Sequence, residues 1–161
     1  VCRQCGSTHD GLTTDIGFTL PDDVWAIPKE ERELRATFNT DLCRFEGRRF
    51  IRGILYVPIV GRDESFGWGV WAEVESGIMM RYVKLFGEDG SNEPLYDGTL
   101  ANRLSSYPDA AGERVAVRFG DAASRPEFFV DRASNSSLAR DQRTGIDESR
   151  YHEILVANGA V

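Results

Sequence analysis

Cys2-Arg3-Gln4-Cys5-Gly6 places two thiols two residues apart, with His9 shortly beyond and a third thiol, Cys43, far along the chain. A two-residue spacer lets both thiolates turn toward one ion, and Gly6 lets the backbone pass close beneath them. Cys2, Cys5, His9 and Cys43 together form a Cys3His donor set, the composition of a closed tetrahedral zinc site with no position left for water or substrate. Such zinc is structural. It contributes on the order of 10 kcal/mol in small peptides, enough to order an N-terminal segment that would otherwise fray. Two plainer readings stand beside this one. Cys43, between Leu42 and Arg44 at the start of an apolar strand, also fits a buried thiol acting as a small hydrophobe. His9, followed by Asp10-Gly11, also fits a solvated turn histidine. A redox role is weaker, because a redox C-x-x-C opens a helix after a strand and this one opens the chain.

Other chemistry is sparse. Gly67-Trp68-Gly69-Val70-Trp71-Ala72 fits the G-x-G-x-x-A pattern of dinucleotide loops, but those glycines belong at a strand-to-helix turn facing a pyrophosphate. Here they alternate with bulky residues inside a strand, where glycine makes room for a close neighbour or a bulge. The sequence has no G-x-S-x-G, no H-E-x-x-H and no Walker loop. His152, between Tyr151 and Glu153, reads as a surface or half-packed helical residue. Asp63 with Glu64, and Glu73 with Glu75, read as solvated faces rather than acid/base pairs. Asn135-Ser136-Ser137 satisfies the glycosylation triplet, which matters only in a secreted protein.

The elements that must position these groups follow from hydrophobic period. Residues 9–28 read as a loop pinned to the core by Phe18, Leu20, Trp25 and Ile27. A short helix follows Pro28 over 29–36. Residues 43–45 and 50–57 read as a hairpin, and 66–75 as a strand with Phe66, Trp68, Val70, Ala72 and Val74 on one face. Helices are predicted over 77–86, 99–104, 136–143 and 147–156, the last two capped by an Asn/Ser segment and Asp147. Strands are predicted over 114–119 and 127–130. The Met79-Met80 pair and its aromatic neighbours read as core packing. The long irregular stretch 87–113 is of the kind that carries function.

The expected architecture is α+β, a single domain over 1–161. It has an antiparallel sheet of about five strands, helices mainly on one face, and a zinc-knuckle-like N-terminal segment within 1–43, tied back through Cys43. The 161 residues carry 19 Lys+Arg against 26 Asp+Glu, a formal net charge of −7. There is no cationic surplus to displace phosphate counterions, so nucleic acid is not an expected partner. No apolar run approaches the roughly 18 residues of a membrane span. The odd, low cysteine count and the absence of an apolar leader at Val1–Gly6 point to a reducing, cytoplasmic setting.

Ordered stretches along nearly the whole chain resemble a bacterial family known as domain of unknown function 2199. They are Cys2-Arg3-Gln4-Cys5-Gly6 with His9 and Asp10-Gly11-Leu12, then Leu20-Pro21-Asp22, Trp25-Ala26-Ile27-Pro28, Glu30-Glu31-Arg32 and Asp41-Leu42-Cys43. Further on come Phe50-Ile51-Arg52-Gly53, Pro58-Ile59, Trp68-Gly69-Val70-Trp71, Glu93-Pro94, Tyr107-Pro108-Asp109, and Leu138-Ala139 with Gln142 and Gly145-Ile146. The resemblance implies a small bacterial protein in which the cysteine pair, the histidine and the later cysteine recur as a metal constellation. The family's His-Pro pair before Leu-Ala is replaced here by Ser136-Ser137, and the aromatic residue common in the family is absent at Asp97 and Thr99. No role for that second histidine carries over.

Two functions are compatible with these features. The first is a zinc-stabilised module without catalysis that binds a protein partner through Trp68, Trp71 and Tyr107 or the 87–113 stretch. The second is a small metal-dependent, hydrolase-like enzyme with an open zinc position near Asp41 or Asp10.

Overall fold

The computed structural model describes residues 15–160. Their hydrophobic periods resolve, in chain order, into β1 (Asp15–Gly17), α1 (Asp22–Trp25), α2 (Lys29–Arg35), β2 (Ala36–Phe38), β3 (Leu42–Phe45), β4 (Arg48–Pro58), β5 (Ser65–Val74) and α3 (Ser76–Lys84). Then come β6 (Tyr96–Leu100), a 3-10 turn (Pro108–Ala110), β7 (Arg114–Arg118), β8 (Glu127–Val130), α4 (Ser137–Thr144) and α5 (Glu148–Ala157). The hairpin between β3 and β4 has a two-residue loop with Phe45 opposite Arg48. Both loop residues have positive φ, 48° at Glu46 and 80° at Gly47, the type I′ pattern whose twist matches that of the flanking strands.

β4 through β8 follow one another as antiparallel neighbours. An odd number of such strands leaves the last parallel to the first, and Ile54 of β4 indeed pairs in parallel with Glu127 of β8. The five strands thereby close into a barrel. β4 is long enough to serve two neighbours, β3 along its first half and β8 beyond it. β2 extends the sheet past β3, and β1 lies parallel on β5. The α+β class holds, but the expected antiparallel sheet of about five strands with helices on one face is corrected to a mixed sheet of eight. Alternation reports which face of a strand is buried; it carries no information on whether the first and last strands meet.

The expected helix over 99–104 is also corrected. Thr99 and Leu100 belong to β6, paired with Glu73 and Ala72 of β5, and the chain then turns away so that Ala101 N–H donates to Trp71 C=O. The other four predicted helices are present as α2 to α5. Ser136 and Asp147 cap the last two by accepting from Ala139 N at 3.2 Å and Arg150 N at 2.8 Å.

Two apolar cores result. The larger fills the barrel with Ile51, Leu55, Phe66, Trp68, Val70 and Phe128, and is sealed by Met79 of α3, Leu138 of α4 and Tyr151 and Ile154 of α5. The smaller lies outside the barrel wall, where Leu20 and Val24 cover Cys43, Phe45, Phe50 and Trp71. Leu20 thus anchors the segment after β1, while Trp25 faces solvent and stacks under the Arg32 guanidinium, 4.7 Å from its ring centroid. Among the described residues no helix is long and apolar enough to cross a membrane.

Candidate functional site

Cys2, Cys5 and His9 lie outside the described residues. Cys43, the fourth member of the expected zinc set, stands on β3 opposite Phe50, fully buried against the smaller core. Burial pushes its thiol up to about 11, so at neutral pH it is protonated and packs as a small hydrophobe. A zinc ion drawing on Cys43 must displace that proton. Among the described residues no group of three or more His, Cys, Asp or Glu side chains is placed to hold a metal.

The three aromatic residues expected at a binding surface are in the cores. Trp68 and Tyr107 meet edge to face inside the barrel with centroids 6.1 Å apart. The Tyr107 hydroxyl donates to Asp141 at 2.8 Å, and burial, together with that carboxylate, raises its pKa. Trp71 is buried on the opposite side of the same strand, its indole N–H donating to Phe18 C=O at 3.1 Å. All three present packing surface to their neighbours and none to solvent. An alternating strand that buries both its faces looks the same in sequence as one with an exposed aromatic face.

The glycines of the G-x-G-x-x-A stretch lie within β5, as the alternation predicts. They admit β1: an ideal Cβ on Gly67 would stand 2.4 Å from Asp15 Oδ1, and one on Gly69 would stand 3.2 Å from Gly17 Cα.

The most extensive concavity is an open cleft of about 1010 Å³. It is lined by Ile54 and Tyr56 of β4, by Tyr82, Leu85 and Phe86 at the end of α3, and by two short loops over 87–91 and 120–125. The loops are joined by Gly90 N–H donating to Gly120 C=O at 3.0 Å. Each carries an aspartate that fixes its own turn. Asp89 Oδ1 accepts from the Ser91 amide and hydroxyl at 3.0 and 2.6 Å, and Asp121 Oδ1 accepts from Ala123 N at 2.9 Å. The Ser91 hydroxyl and amide hold the Asp89 carboxyl below the usual carboxylate range.

Five carboxylates line this cleft (Asp41, Glu88, Asp89, Asp121 and Glu127) against two guanidinia, Arg118 and Arg125. Both arginines are already engaged, Arg118 with Glu127 at 2.5 Å and Arg125 with Asp41 at 3.0 Å. Glu88, Asp89 and Asp121 pair with no cation among the described residues, so the lining carries an uncompensated negative charge. Phe86 is 59% exposed at its rim, and Met80 and Val83 continue an exposed apolar stripe along α3. The Met79-Met80 pair therefore divides: Met79 packs in the core and Met80 faces out. A smaller hollow near Arg48 offers less, because Arg48 is already held between Glu73 at 2.7 Å and Asp23 at 2.9 Å.

Part of the cleft lies in the stretch 87–113 expected to carry function. The opposite loop over 120–125 was not anticipated, although the short Gly-Asp run repeated at Gly120-Asp121 after Glu88-Asp89-Gly90 was a visible signal.

The barrel with its added strands, helix-sealed core and acidic cleft defines an α+β protein of mixed sheet. A family model described as an uncharacterized protein conserved in bacteria, domain of unknown function 2199, matches residues 1–146, and the chain belongs to that family. A comparison with curated proteins found no match, and neither did one with solved structures.

Proposed function

We infer that this chain is a protein-binding module, with no catalytic step of its own, whose acidic cleft receives a lysine- or arginine-rich segment of a partner protein. The observation that carries this reading is the imbalance in the cleft, where three carboxylates on two hydrogen-bonded loops have no cation while an apolar floor and rim lie beside them. Complementary charge steers the encounter and fixes register, and the apolar stripe of Phe86, Val83 and Met80 supplies area for anchoring residues.

The test uses a fluorescein-labelled peptide built on the repeat Lys-Lys-Leu. Fluorescence anisotropy is expected to show saturable binding that weakens as salt is raised. The triple variant Glu88→Lys, Asp89→Lys, Asp121→Lys is expected to weaken it at least about tenfold, equivalent to about 1.4 kcal/mol. Reversing the exposed Glu30, Glu33 and Asp63 instead is the control. Equal loss in both triple variants, or no saturable binding, would contradict the reading.

The proposal for Cys2, Cys5, His9 and Cys43 is one structural zinc ion that ties the N-terminal segment to β3. The ligand spacing supports it, and β3 offers the fourth thiol on a rigid strand. Protein purified without chelator is expected to hold about one equivalent of zinc, and Cys5→Ser and Cys43→Ser are each expected to lose both the metal and several degrees of melting temperature. Zinc near zero in the unmodified protein would remove the site.

A further inference from the structure

Arg52 is the one strongly basic side chain on the outer face of the barrel wall whose charge is left open at a built position. It stands on β4 opposite Trp71 of β5, and its guanidinium leans across Gly69 toward Gly17 of β1. An ideal Cβ on Gly17 would lie 2.8 Å from Arg52 Nη2, and one on Gly69 would lie 3.4 Å from it. The paired glycines therefore form a hollow that the guanidinium fills. Asp15, Gly17, Gly67 and Gly69 are brought together there only because β1 adds in parallel to β5.

No guanidinium N–H of Arg52 meets an acceptor among the described residues. Its Nε is buried without any partner, an arrangement that folding ordinarily avoids. The nearest carboxylate that bears on it is Asp41, whose backbone C=O already accepts from Arg52 N at 2.9 Å and whose side chain is engaged by Arg125 Nε at 3.0 Å. Burial and the like charge of Arg125 both work against the Arg52 cation, and Asp41 only partly offsets them. Two guanidinia thus share one carboxylate, and the local sum is a single positive charge beside an otherwise acidic cleft.

We propose that Arg52, seated on the Gly17–Gly69 pair, is the receptor for a monoanionic carboxylate, which engages the two terminal nitrogens of its guanidinium. The planar fork of arginine matches a carboxylate. A single uncompensated charge suits a monoanion, and a dianion such as phosphate would be repelled by the neighbouring carboxylates. The site is separate from the cleft reading: Arg52 does not line the cleft, and the charge-reversed loop variants leave it intact.

The test follows the Arg52 Nε–H resonance and the Gly17 and Gly69 amides of the full isotope-labelled chain while sodium acetate is added, with sodium chloride at equal ionic strength as reference. Acetate is expected to give a saturable shift at these three positions that chloride does not. Arg52→Lys is expected to lose the response at Gly17 and Gly69. Gly17→Ala, which puts a methyl where Nη2 sits, is expected to lose it with the arginine still present, so the outcome does not hang on one variant folding. An identical response to chloride would show screening only and overturn the proposal. So would a persistent acetate response in both variants, or tighter saturation by inorganic phosphate than by acetate.

Discussion

Gly53→Val is expected to destabilise the protein by more than about 3 kcal/mol, the upper end of what overpacking costs, and to open the barrel at its seam. Even a single Cβ at this position would lie 2.5 Å from Phe128 Cζ and 2.6 Å from Pro126 O. That carbonyl is the acceptor for Ile54 N at 2.8 Å, in the only stretch where β4 and β8 run side by side in register. The obstacle includes backbone, so no rotamer change relieves it; the strands must separate. Urea unfolding followed by tryptophan fluorescence measures the loss. A destabilisation below about 1 kcal/mol, within the range of ordinary surface substitutions and small repacking, would mean that the seam is not where the barrel closes.

Asn102→Leu is expected to cost about 3 kcal/mol, because it orphans groups on both sides of the barrel wall. The Asn102 side chain is buried. Its Oδ1 accepts from Trp71 N at 2.8 Å, and its Nδ2 donates to Leu20 C=O and Asp22 Oδ1, both at 3.0 Å. One amide thus joins β5 to the segment that covers Cys43, Phe50 and Trp71. In a chain of this size the loss corresponds to a fall in melting temperature of about 6 to 12 °C. Asn102→Asp keeps the acceptor but removes both donors and sets a second carboxylate beside Asp22, so it is expected to fall at least as far. A change of under about 2 °C in both variants would show that the outer core holds without this link.

Much of the local structure was legible because it depends on local rules. Gly47 permits the positive φ of the hairpin loop, Ser136 and Asp147 cap the helices they precede, and the residues from Phe66 to Val74 alternate as a buried strand must. What escaped depends on residues far apart in the chain. The β4–β8 seam joins positions 54 and 127, and nothing in either segment's period announces it. β6 was mistaken for a helix because Tyr96-Asp97-Gly98-Thr99-Leu100 lacks strand alternation of apolar residues; it is held by neighbours on both sides. Trp68, Trp71 and Tyr107 were candidates for a surface because large aromatics serve both cores and interfaces, and only the second, outer core places Trp71 inside.

The cleft was half visible. The stretch after α3 stood out by its length and polarity, but its partner loop over 120–125 is brought to it by barrel closure and by the Gly90–Gly120 hydrogen bond. Arg52 was hidden for a similar reason. An arginine in an alternating strand reads as solvent-facing, and the glycines that seat it come from β1 and β5.

The central claim is that the acidic cleft is where a basic partner segment binds. Its most direct test is a map of amide chemical-shift changes on the isotope-labelled full chain as the Lys-Lys-Leu peptide is added. The account predicts that the largest changes fall at Phe86 to Ser91 and Gly120 to Ser124, and that they vanish in the Glu88, Asp89, Asp121 charge-reversal variant. Changes centred on α2 and β2, or spread evenly over the acidic surface, would contradict it.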